Sequence, residues 1–451
     1  MMKQGIPYTK IALWISLILL GCWLGACRAP ELNIEETHQA QDATPPSLET
    51  QPAGITPDDL NPTGTPAIAD TPSTIPTNTP FPESEPTSSP RIIPIFSPGE
   101  PVTITHIEMV DAAAGWAIAR DEENAVDHIL ITSDGANTWH DVTPAESLLQ
   151  EMNEFTYRHA YGFFLDEQNA SLIYDPERYG DPARIWSTST AGNQWEVVTI
   201  ETSFQVIDEL TFSDPSHGWL MLGVDAGMGH AWIELYRMNA NADQWELILD
   251  PFSESSADLH YCCKNKMVFY GPDTGLVTFG RGPMGGAFTN WTEDGGMTWE
   301  TLPLPRPEGT FVELGDSDYG LLCESHSPAL FSPQFARVAL ECWTDLDASD
   351  MVSFIFTTQD RGAHWTWQTY PGGQVLFLDP EVGWAFSQDI YQTLDGGQTW
   401  AKLSSVPWEG QFSFVNPKLG WAVTQDEEEI TLVQTKDGGK TWDLIQPVVV
   451  E

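Results

Sequence analysis

The octapeptide Thr435-Lys436-Asp437-Gly438-Gly439-Lys440-Thr441-Trp442 constrains this chain more than any other feature, because it recurs. Close copies run from Thr292 to Trp299 and from Thr393 to Trp400, and looser ones from Thr132 to Trp139 and from Thr358 to Trp365. Two worn copies complete the set: Thr188 to Trp195, where Thr190 replaces Asp, and Met238 to Trp245, which keeps little beyond its Trp. The conserved carboxylates are thus Asp134, Asp294, Asp360, Asp395 and Asp437, and the seven copies end at Trp139, Trp195, Trp245, Trp299, Trp365, Trp400 and Trp442. Asp at the third position can accept hydrogen bonds from backbone N–H groups two or three residues on and close a turn. Gly beside it takes positive φ at no steric cost. The Trp re-enters the next strand and can bury roughly 150–250 Å² against a neighbouring unit. One copy would be an ordinary hairpin; seven copies predict a repeat architecture.

A second motif precedes the first within each unit. It reads Asp111 to Ala117, Asp214 to Leu220, Asp379 to Ala385 and Asn416 to Ala422, each with a Gly-Trp pair, and Pro272 to Val277 as a variant. Short apolar runs flank both motifs, which predicts four strands per unit. Seven units of about 50 residues predict an all-β, seven-bladed β-propeller of four-stranded antiparallel blades over 99–451.

The Asp-Gly-Gly-x-Thr-Trp stretch resembles the Asp box of BNR and sialidase-type repeats. Together with the Gly-Trp-Ala turn it resembles the photosystem II assembly-factor family of seven-bladed propellers, over the whole chain after residue 100. That resemblance implies a non-enzymatic propeller that binds a protein partner.

Residues 1–26 read as a processing signal: Lys3 and Lys10 precede an apolar run from Ile11 to Leu20. Leu24-Gly25-Ala26-Cys27 resembles a bacterial lipobox, which implies lipidation at Cys27 and an extracytoplasmic, lipid-anchored protein. Residues 27–98 predict a disordered tether. Fourteen of the 34 prolines lie between 41 and 100, among Thr, Ser and Asp, a composition that buries too little apolar surface to offset its ordering entropy.

Lys plus Arg is 19 against 65 Asp plus Glu, a formal charge of −46. Such a chain is not expected to bind nucleic acid, where neutralising phosphate dominates affinity. The Gly-Trp turns and Asp boxes should share one face. The opposite face should carry the longer loops, where binding residues are expected: Arg158, Arg178, Arg184, Met228, His230, Arg281 and Met284. Met228, His230, Met284, Cys262 and Cys263 are soft ligands in neighbouring loops, but Gly-rich hairpins and oxidised cysteines account for them, and neither metal nor cofactor is expected. Cys323 and Cys342 fall on adjacent strands of the fifth unit and suit a disulfide, which leaves Cys262 and Cys263 to each other or reduced.

No HExxH, phosphate-binding loop or nucleophile elbow is present. The expectation is therefore a non-enzymatic, monomeric scaffold that binds a protein at the membrane surface. A sialidase-like glycoside hydrolase would need converging Arg side chains. A glycan-binding adhesin would need exposed rings, for which Tyr161, Tyr179 and Trp408 are candidates. The lipobox reading is tested by Cys27→Ser: the variant should move from the membrane fraction to the soluble fraction and lose incorporation of labelled fatty acid, and retention of both would refute it.

Overall fold

The four main strands of each repeat unit pair in chain order into an antiparallel sheet, and Gly282–Pro283, from the fourth unit, adds to the edge of the fifth. The computed structural model describes residues 91–451 apart from 151–156, 177, 179, 228–229, 240–243, 254–258, 260–263, 280–281, 284–287, 310–321, 344–350 and 427–428. Seven sheets of this kind form an all-β, seven-bladed β-propeller with four-stranded blades. Blade 1 consists of Thr103–Met109, Gly115–Asp121, Val126–Thr132 and Thr138–Asp141. The first strands of blades 2 to 4 are Ala160–Phe164, Val206–Asp214 and Lys264–Tyr270. Those of blades 5 to 7 are Leu322–Ser325, Gln374–Phe377 and Glu409–Phe414. First strands of adjacent blades lie against one another, so they are the innermost. Cys323 and Cys342 are register partners in blade 5 and are joined by a disulfide. Buried packing begins at Ile93, ahead of residue 99.

The Asp box forms a closed polar turn. Asp395 accepts from the Thr399 N–H at 2.8 Å and the Thr399 hydroxyl at 2.6 Å, while Thr393 donates its hydroxyl to Asp395 and accepts from the Gly397 N–H. Asp134, Asp294, Asp360 and Asp437 repeat the pattern. The carboxylate therefore reaches three or four residues on, not two or three: the turn is one residue wider than an Asx turn. The fourth position has positive φ in each of the six described boxes, as in Gly438 at 82° and even Arg361 at 57°. This conformation aims its N–H at the blade's first turn: Gly135 donates to Ala113, Gly396 to Glu381 and Gly438 to Lys418. Gly-Trp turns and Asp boxes thus share one face.

The strongest inter-blade contacts come from the other tryptophan. The residue after each first-turn glycine lies on the seam with the next blade. Trp219 donates its indole N–H to the Gly295 carbonyl, Trp384 to Gly438 and Trp421 to Gly135. Each acceptor is the fourth residue of the next blade's box. One residue therefore ties its own blade together through its N–H and receives the preceding blade through its carbonyl. Trp116 donates instead to Asp166, in the first turn of blade 2. The box tryptophans are second to these: Trp299 and Trp400 donate to their own boxes and are half-buried, while Trp139 is fully buried.

The Trp421 bond also closes the ring, from blade 7 to blade 1. Two further links act there: the Gln411 side chain bridges the Ile107 N–H and carbonyl, and Ser413 accepts from the Met109 N–H. Outside them, Val448–Val449 pairs in parallel with the last strand of blade 1. Trp421 is wholly buried. Trp421→Ala is expected to cost about 3–5 kcal/mol in denaturant-induced unfolding; a loss under about 1 kcal/mol would show that the seam does not rest on this residue.

Candidate functional site

In six blades the innermost strand brings one polar side chain to the matching position, and in blade 5 Ser327, just past that strand, takes it. His106 stands nine positions before Gly115, the glycine of its turn. At the same offset from their own turns stand Tyr161, Glu209, Lys266, Ser327, Gln374 and Gln411. All seven are partly or fully exposed, whereas the residue that follows is buried in blades 1 (Ile107), 3 (Leu210), 4 (Met267), 6 (Val375) and 7 (Phe412). A row of this kind on the innermost strands lines the propeller axis.

A register irregularity helps to set the row in blades 1, 3 and 4. The pairing shifts between Ile104 and His106, between Ile207 and Glu209, and between Lys264 and Met267. Such bulges re-aim side chains. Ile104, Ile107 and Met109 keep to the core between blades 7 and 1, and His106 and Glu108 share the other side of the strand. Lys266 and Glu209 form an ion pair at 3.1 Å between blades 4 and 3. Burial, and then the charge of Lys266, pull His106 down to about 4, so the imidazole is neutral at neutral pH. Blades 1 and 4 are not neighbours, so that field acts across the axis.

Glu108 lies two residues beyond His106, directly across the strand pair from Trp116. The equivalent positions in the other blades hold Phe163, Thr211, Val268, Ala329, Leu376 and Ser413, none of them charged. Burial alone pushes the Glu108 carboxyl up to about 7. A carboxyl held against an aromatic wall with no compensating charge keeps its proton near neutrality. Burial also raises Glu209, opposed by Lys266. Burial thus keeps the Glu108 carboxyl protonated and the His106 imidazole neutral, near the Glu209–Lys266 ion pair.

Among the described residues, the three arginines expected on the loop face, Arg158, Arg178 and Arg184, do not come together. Arg158 is buried rather than presented for binding: it donates to the Ser147 carbonyl at 2.8 Å and lies over the Tyr174 ring. Its segment bridges to Val126 of blade 1, which draws the side chain under the loop. Arg178 is exposed in a turn closed on Asp181, and Arg184 is exposed on a separate strand. Cys27, Tyr179, Met228, Cys262, Cys263, Arg281 and Met284 lie outside the described residues, as does the side chain of His230, which begins the strand His230–Met238. Among the described residues no cluster of His, Cys, Asp and Glu could hold a metal ion. Trp408 is half-buried, edge-on to Trp442, and so serves packing rather than an exposed platform. Tyr161 is 39% exposed and belongs to the axial row. Burial, then Asp175 and Asp127, raise its phenol, the wrong direction for a sialidase-type tyrosine nucleophile.

No family model and no curated protein matches the sequence. Solved structures do. A xyloglucanase from Xanthomonas campestris aligns with 77% of this chain at 12% identity and a TM-score of 0.34, and the chain spans only 64% of that enzyme. A polysaccharide lyase acting as an ulvan lyase aligns with 77% of this chain and 96% of its own, at 12% identity and a TM-score of 0.44. An oligogalacturonate lyase from Vibrio parahaemolyticus aligns with 74% of this chain and 91% of its own, at 9% identity and a TM-score of 0.49. The propeller rests on the sheet topology rather than on these likenesses. The expectation of a non-enzymatic scaffold is nevertheless corrected: these neighbours are enzymes by name and none is an assembly factor.

The Glu108 environment has a consequence for stability. Its carboxyl is protonated in the folded state up to about pH 7 but ionises near pH 4.5 once unfolded. Stability is therefore lost as pH rises through that window. Glu108→Gln, uncharged at every pH, should match the wild type near pH 4 and exceed it at pH 8 in thermal unfolding. A variant less stable at both pH values would contradict this environment.

Proposed function

We propose that this propeller is an enzyme that cleaves carbohydrate polymers by acid–base chemistry at its axis, with Glu108 as the proton donor. The observation that carries the reading is the placement of Glu108: a carboxyl facing Trp116 in an otherwise uncharged row, beside an axial ring that holds Glu209 paired with Lys266. Two carboxyl groups in contrasting environments are the working parts of most glycoside hydrolases, the one with the raised pKa protonating the leaving oxygen. Lys266 holds the second carboxyl group, Glu209, in place at 3.1 Å. His106, neutral and on the same side of the strand as Glu108, can accept or donate a hydrogen bond from sugar hydroxyls. The sialidase variant of this chemistry is disfavoured by the dispersed arginines and the raised Tyr161. Xyloglucan, ulvan and oligogalacturonate, the substrates named for the fold neighbours, form the first screening panel.

Glu108→Gln should lower kcat on a cleaved polysaccharide by roughly 10²–10⁴-fold with the fold intact. Because the donor must be protonated, wild-type kcat should fall as pH rises above about 7. Undiminished turnover by Glu108→Gln, or no cleavage across a broad polysaccharide panel, would overturn the reading.

A further inference from the structure

The seam between blades 2 and 3 departs from the rule that holds the ring together. The residue after the turn glycine is Trp116, Trp219, Trp384 or Trp421 at four seams, Leu276 at a fifth and Arg337 at a sixth. These groups cover an aromatic platform at the end of the next blade's first strand in several cases. Trp116 stacks on Phe164, Trp219 on Phe269 at 3.5 Å and Trp384 on Phe414 at 4.0 Å, and the Arg337 guanidinium sits 4.7 Å over Phe377. At blades 2 and 3 the covering position is Ser171 and the platform is Phe212. The box that would accept an indole N–H there is also the most worn of the seven, Met238 to Trp245. The indole is missing at this seam, and the box facing it is the one that departs most from the motif.

A cavity of about 240 Å³ occupies that place. Phe212 and Trp245 supply an aromatic wall, edge to face at 5.9 Å. Opposite them are the Ser171 and Ser187 hydroxyls, hydrogen-bonded to each other at 2.8 Å, with Gln194 and Glu196 exposed at the rim. The space exceeds the roughly 150 Å³ known to admit a benzene ring. Its lining is not that of a dry aromatic slot: one wall is apolar and the other offers hydroxyl, amide and carboxylate groups. A pyranose has the same division, with an apolar C–H face and hydroxyls around its edge.

We propose that the seam between blades 2 and 3 is a binding site for one pyranose unit of a glycan, seated on Phe212 with its hydroxyls toward Ser171, Ser187, Gln194 and Glu196. The site lies on the box side of the blades and needs no chemistry at the axis. It deepens the carbohydrate reading by adding a place where a chain is held away from where it is cut, and its test does not depend on cleavage.

The test is saturation-transfer NMR on the full-length protein with glucose, galactose, xylose, rhamnose and galacturonate as probes, carried out in the Glu108→Gln background so that turnover does not intervene. At least one pyranose should bind, with saturation strongest on its C–H face. Ser171→Trp, which restores the missing indole, should abolish binding and raise the melting temperature. Glu196→Ala, an exposed rim change that leaves packing alone, should weaken binding about tenfold. The proposal is overturned if none of the five sugars binds, if binding survives Ser171→Trp or is untouched by Glu196→Ala, or if free indole occupies the seam while the sugars do not. Sugar binding without any cleavage would uphold this site while sinking the enzyme; cleavage without seam binding would do the reverse.

Discussion

One residue of the Asp box ties its blade together, and at three seams the same residue joins the ring. The fourth residue of an Asp box turns its N–H inward to its own blade's first turn and, in three blades, offers its carbonyl to the indole of the blade before. Both bonds require the left-handed backbone that glycine adopts without strain, and the carboxylate, threonine and glycine around it hold that geometry. The indole contributes more through its buried area than through its hydrogen bond, which is worth about 0.5–1.5 kcal/mol net. The bond chiefly decides where the ring sits, and the area then makes that position stable.

A seam built this way leaves the innermost strands free for another task. Because the blades are held together around the first turns, a side chain facing the axis can be polar in every blade without weakening the core. His106, Tyr161, Glu209, Lys266, Ser327, Gln374 and Gln411 occupy that row, with Glu108 one step farther along, against Trp116. Some members are shared between structure and site. Gln411 binds the backbone of Ile107, and Glu209 is tied to Lys266, so the axial groups are positioned by the same contacts that join blades. The seam of blades 2 and 3 shows the converse: where Ser171 stands in place of the indole, space opens.

The fold was largely legible in the sequence, since seven copies of one turn allow few arrangements. The shared face of turns and boxes and the Cys323–Cys342 pair followed from the same register. The axial row was not legible in the same way. Its members lie about 50 residues apart, differ in chemistry and stand out only when counted back from each turn glycine. Glu108 is hidden further, because an acidic chain offers 65 carboxylates and only packing singles one out. The loop arginines misled for a related reason: Arg158 looks like a free loop charge until a single bridge to Val126 carries it inside. The functional expectation was overturned with it, since the resemblance to assembly factors rested on turns that are structural.

The charge state of Glu108 decides between a propeller that does chemistry at its axis and one that merely encloses it. A carbon-13 NMR titration of the Glu108 side-chain carboxyl, assigned by comparison with Glu108→Gln, reads that state directly. A midpoint near pH 7 is the expected result; a midpoint near the ordinary glutamate value of about 4.3 would contradict the account.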